Sequence, residues 1–139
     1  MKQYIDASQL AELTDEQKAK LKDWWQPKAG DVCHYYGGWE FDVVVQSIHK
    51  DPMVPTDPPR PLSGEFAHLD NHLESVRSVK RNALPLLSVG QMVELLKPHL
   101  GYIVPGDGKL WIVNLRDSRD ALVSKELVDV LWDALKAVL

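Results

Sequence analysis

Apolar positions along the chain change period several times, and each change marks an element. Leu21, Trp24 and Trp25 fall at i, i+3 and i+4, the spacing of one helical face, while Lys18, Lys20, Lys22 and Asp23 take the water-facing positions. Thr14-Asp15-Glu16-Gln17 precedes them with a hydroxyl at the N-cap and an amide three residues on, so each side chain can satisfy an unpaired backbone N–H, and Pro27 stops the helix. Upstream, Ser8 caps a short first helix carrying Leu10 and Leu13, which makes about 8–25 a broken helical arm.

From Asp31 the period becomes two. Residues 32–36 and 39–48 flank Gly37-Gly38, and two glycines supply the positive φ angles of a two-residue hairpin turn. That turn pairs Tyr36 with Trp39, His34 with Phe41 and Val32 with Val43 on the core side. Cys33 opposite Asp42 and Tyr35 opposite Glu40 then form the wetter side, and a one-residue slip exchanges the faces.

Residues 51–62 carry Pro52, Pro55, Pro58, Pro59 and Pro61; the recurrence at every third position matches the polyproline II period and predicts a stiff, extended loop. In 64–81, Phe66, Leu69, Leu73 and Val76 fit an amphipathic helix after Ser63, with an edge strand at 75–80 as the alternative. Ser88-Val89-Gly90-Gln91 repeats the capping box and Pro98 ends its helix. A second hairpin joins 102–104 to 110–115 through Pro105-Gly106-Asp107-Gly108, whose glycines suit a turn and are too few to cradle a phosphate. Ser124 caps a last helix that is apolar almost all round, interrupted by Asp129, Asp133 and Lys136. So wide a surface predicts burial on more than one side, against the sheet and against either the N-terminal arm or a second subunit.

These elements add up to one α+β domain, residues 1–139: an antiparallel sheet of about four strands from two hairpins, packed against the C-terminal and N-terminal helices. With 45% hydrophobic and 26% charged residues over 139 positions, a full core is affordable and disorder throughout is excluded. The lone Cys33 excludes an intrachain disulfide and a cysteine-rich zinc module. No apolar run approaches the ~18 residues of a membrane span, and the first residues lack the apolar core of a signal peptide, so a cytoplasmic location is expected. The net charge of −4 lies in residues 1–69, where 7 bases meet 11 acids. Arg77, Lys80 and Arg81 form the one basic cluster, too small and too close to Glu74 to predict a nucleic-acid partner.

Five histidines invite a search for chemistry. On a helix, Glu65, His68 and His72 share a face, and two imidazoles at i, i+4 with a carboxylate can hold zinc; the general-base Glu of the metalloprotease pattern is missing. His34 reads as a core histidine and Cys33 as an inert thiol without a histidine partner. No cofactor is expected. Pro55, Pro58 and Arg60 have the PxxPxR spacing of a ligand for aromatic-lined grooves.

Three stretches resemble small uncharacterised proteins of phages and prophages in Gram-positive bacteria. They are Leu13-Thr14-Asp15-Glu16-Gln17-Lys18 through Trp24-Trp25-Gln26-Pro27-Lys28-Ala29-Gly30-Asp31, then Leu84-Pro85-Leu86-Leu87-Ser88-Val89-Gly90-Gln91-Met92, and Leu127-Val128-Asp129-Val130-Leu131-Trp132-Asp133-Ala134-Leu135. The matching residues are caps, core positions and tail helix, so the resemblance implies a shared fold and carries no activity. The expected role is a non-enzymatic interaction or structural protein of prophage origin, joined to another copy or to an unidentified protein through Trp24, Trp25 and Trp132. A metal-dependent enzyme using His68 and His72, and a nucleic-acid-binding accessory protein, are the alternatives.

Overall fold

The computed structural model describes residues 1–51, 53–54, 60–61, 63–70 and 72–139. In chain order the elements are α1 (Ala7–Leu10), α2 (Asp15–Trp24), β1 (Val32–Tyr35), β2 (Phe41–Lys50), β3 (Met53–Val54), β4 (Arg60–Pro61), β5 (Glu65–Leu69), β6 (Leu73–Ser75), α3 (Val76–Asn82), β7 (Ala83–Pro85), α4 (Val89–Leu96), β8 (Leu100–Pro105), β9 (Trp111–Leu115), β10 (Leu122–Ser124) and α5 (Leu127–Val138). The class is α+β with antiparallel sheets. Two compact units divide the chain, the first made of Met1–Lys20 and Leu86–Leu139, the second of Leu21–Pro85.

In the first unit, β8, β9 and β10 form a three-stranded sheet with β9 in the middle, and α5 packs on β9, β10 and α4. Val128, Val130, Leu131, Trp132, Ala134 and Leu135 of α5 are all buried, as the nearly all-round apolar pattern requires. The N-terminal arm supplies the further cover. Lys2 donates from its backbone N to Glu126 (3.2 Å) and from Nζ to Asp129 (3.1 Å), Gln9 donates to the same Asp129 oxygen (3.1 Å), and Gln17 reaches the Lys136 carbonyl (3.1 Å). Glu12 pairs with Lys136, and Lys20 Nζ reaches the Leu139 carbonyl. The arm therefore runs alongside α5 in the same direction.

Both capping boxes drawn from the sequence are present, at Thr14–Gln17 and at Ser88–Gln91. Two expected caps are replaced. Asp6, not Ser8, caps α1, because Asp6 and Gln9 satisfy each other's backbone N–H while the Ser8 hydroxyl donates to Asp6. Ser124 ends β10 instead of capping α5: Leu122, Val123 and Ser124 pair with Val113, Ile112 and Trp111, which satisfies the second edge of β9, and α5 opens after Glu126.

The second unit is a five-stranded sheet in the order β6-β5-β2-β1-β7. Strands β1, β2, β5 and β6 follow one another as a meander, and α3 returns the chain so that β7 pairs with the free edge of β1, Cys33 to Pro85 and Tyr35 to Ala83. With β5 on one edge of the first hairpin and β7 on the other, both edges of that hairpin are taken, and β9 pairs with β8 and β10 instead. The two hairpins accordingly enter separate sheets instead of one sheet of four strands. Trp25, Cys33, Tyr35, Val43, Val45, Ala67, Leu69, Val79 and Ala83 make up the core, with Trp24, Ile48 and Val76 packed against it. At its start, the Asp31 carboxylate accepts from the Trp25 indole (2.9 Å) and the Lys28 N–H (3.0 Å).

Two sequence expectations fail in this unit. The β1–β2 register is Val32 to Val44, Cys33 to Val43, His34 to Asp42 and Tyr35 to Phe41, one residue away from that of a two-residue turn. Residues 36–40 form the loop instead, because the Tyr36 N–H donates to the Asn82 carbonyl (2.8 Å) rather than across the hairpin. The slip exchanges the faces of β1, so Cys33 and Tyr35 point into the core and His34 lies outside it, while Val43 of β2 stays on the core side as expected. Residues 64–75 are not helical: the alternation of buried Ala67 and Leu69 with Phe66 and His68 has the period of β5. The helix comes later, at 76–82, where an edge strand was the alternative. Ser75 caps it by accepting from the Ser78 N–H.

The proline-rich segment falls mostly outside the described residues. Met53 and Val54 pair with Pro61 and Arg60 through the backbone.

Candidate interaction site at the β1–β2 loop

The hairpin slip decides which side chains gather at the end of β1. Tyr35 and Phe41, now a cross-strand pair, stack at 5.2 Å and 22°, with the His72 ring edge-on to both. Glu74 sits beneath them as an acceptor: Tyr35 Oη donates to Oε1 (3.3 Å) and Ser78 Oγ to Oε2 (2.7 Å). His72 Nε2 lies 3.6 Å from Oε1, and Asn82 Nδ2 donates to Ser78 Oγ (3.4 Å). Burial, and then the neighbouring Glu74 charge, raise the Tyr35 pKa above its ordinary value. A carboxylate already accepting from two hydroxyls is suited to locking the end of a core, not to taking a proton from a substrate.

Above this lock the loop is held at its base. The Tyr36 hydroxyl donates to the Arg81 carbonyl (3.4 Å), which also accepts from Lys22 Nζ (3.0 Å). The same ammonium sits 4.9 Å from the centroid of the Tyr36 ring, a cation–π contact. At Gly37 a Cβ would stand 2.8 Å from the Asn82 side chain, so only glycine permits this approach, and Gly38 has φ +121°. Trp39 follows at the tip and is 89% exposed, the most exposed large apolar side chain among the described residues. Glu40 and Asp42 are exposed beside it, with His34 Nδ1 at 2.8 Å from Asp42 and Nε2 at 3.9 Å from Glu40. Lys80 and Arg81 end α3, next to the loop base.

The residues singled out from the sequence are dispersed. Trp25 and Trp132 are each 1% exposed and Trp24 is half-buried against the core, so the first two offer no surface. Glu65 and His68 occupy opposite faces of β5, and His72 lies in the turn beyond it, beside Glu74, so the helical face that would gather the three does not exist. Among the described residues no group of three His, Cys, Asp or Glu could hold a metal ion. Cys33 is buried opposite Val43, its thiol pushed up to about 12 by burial and then by the charges of Asp31, Asp42 and Asp70. Pro55 and Pro58 lie outside the described residues, and Arg60 enters only through the backbone pairing of β4. Arg77, Lys80 and Arg81 all belong to α3. Sequence reasoning missed Trp39 because its register placed that ring in the core.

No family model, curated protein or solved structure matches the chain. Among the described residues no helix is long and apolar enough to cross a membrane.

Proposed function

We propose that this protein is a non-enzymatic interaction protein that docks through the loop at residues 36–40. One observation carries the reading: a tryptophan 89% exposed on a loop whose base is tied at Tyr36 by hydrogen bonds to the Asn82 and Arg81 carbonyls. Leaving so large an apolar ring in water is unfavourable, and a held loop loses little entropy on docking, which are the properties of an interface anchor. The resemblance of three stretches to phage and prophage proteins supports an origin there, and a single buried thiol suits a reducing compartment such as the cytoplasm.

A photoreactive phenylalanine analogue at position 39, irradiated in the native cells, tests the reading. A discrete covalent adduct is expected from position 39 and not from position 109, in the β8–β9 turn. No adduct from position 39 would overturn it.

A further inference from the structure

Resting on that reading, we propose that the occupant of the Trp39 surface is a second copy of this chain. Charge selects this occupant. Exposed carboxylates, Glu40 and Asp42, flank the indole on β1–β2, while the loop base is bound to the end of α3, which carries Lys80 and Arg81. The loop thus carries an apolar anchor with an acidic rim beside it, and the helix that holds its base ends in basic residues that form a second rim. A two-fold axis through such a patch sets each acidic rim against the basic rim of the other copy and stacks the two anchors at the centre, which is the self-complementarity an isologous dimer needs. An anionic lipid surface is a poor fit, since Glu40 and Asp42 would face its headgroups. Val104 and Val123 are exposed on either side of the half-buried Ile112 across β8, β9 and β10, the competing surface for such a contact.

Sedimentation equilibrium of the full chain from micromolar to several hundred micromolar tests the proposal. The parent is expected to dimerise, and Trp39→Ala to weaken the dimer ~30-fold or more, the effect of losing an anchor worth about 2 kcal/mol. Glu40→Lys should weaken it several-fold and Glu40→Lys with Arg81→Glu should restore it, a rescue that loss of folding cannot mimic. Because the Trp39 ring is in water in the single chain, a melting temperature of Trp39→Ala equal to that of the parent at a concentration where both are monomeric checks that the variant is folded.

A parent mass of one chain at every concentration overturns the second-copy proposal, and so does a dimer broken by Val104→Asp but indifferent to Trp39→Ala. If the crosslinked adduct at position 39 persists in cells while the purified protein stays monomeric, the occupant is a different protein and the interaction reading stands. Absence of both ends both.

Discussion

The two units close their cores by different means. In the first, a helix with little polar surface is covered by packing, and the polar contacts of the arm lie at its margin, around Lys2, Asp129 and Lys136. In the second, the sheet closes when β7 returns to β1, and the end of the core is finished by a half-buried polar lock of Tyr35, Glu74, Ser78 and Asn82. The difference is one of failure mode. Apolar packing loses stability in proportion to volume removed, whereas a half-buried polar lock fails when one partner is removed and the others are left unpaired.

The largest expected effect is therefore in the first unit. Leu131→Ala truncates a side chain with no exposed surface in the middle of α5 and should cost ~2–5 kcal/mol, the range for a buried leucine. Chemical denaturation measures it. A loss below about 0.5 kcal/mol, typical of surface sites, would mean that α5 does not carry this core.

That helix was legible in the sequence, and so were both Thr14 and Ser88 capping boxes, because their signals are local: a stripe at period 3.6 and two side chains three residues apart. What stayed hidden depends on partners far along the chain. Whether Gly37-Gly38 makes a two-residue turn depends on partners such as Asn82, which takes the Tyr36 N–H, and the one-residue slip turns Cys33 into the core and leaves Trp39 in the loop. The strand at 65–69 was lost to a helical reading because Phe66, Leu69, Leu73 and Val76 match a helical stripe, while the pairing that selects the strand lies in Ser47, Ile48, His49 and Lys50. The candidate site inherits the same blindness, being built from β1, β2, the turn after β5, β6 and α3.

The next effect sharpens the contrast in the second unit. Glu74→Ala should cost about 1–3 kcal/mol, since the buried Tyr35 hydroxyl and the Ser78 hydroxyl lose their acceptor. Glu74→Gln keeps an acceptor oxygen and should cost less. Ultraviolet titration supplies an independent check: the Tyr35 pKa should move down in both variants, because the Glu74 charge contributes to holding it up, yet stay raised by burial. Equal stability of the alanine variant and the parent would reduce the lock to a surface contact.

The smallest effect belongs to the margin of the first unit, where Asp6 caps α1. Hydrogen bonds from Ser8 and the Gln9 N–H, with Lys2 nearby, hold its carboxyl at about 2, below the ordinary 3.8. A depressed folded-state pKa means that the charged form is favoured by folding, so its contribution is complete above about pH 4 and is lost as pH falls toward 2. Water screens most of it, because the side chain is 53% exposed, and the contribution should be below about 1 kcal/mol. Asp6→Ala should accordingly be less stable than the parent at pH 7, with a gap that narrows between pH 4 and pH 2 in paired unfolding curves. A gap constant across that interval would assign the effect to cap geometry alone, and the charge of the margin would then add nothing to a unit held by the packing of α5.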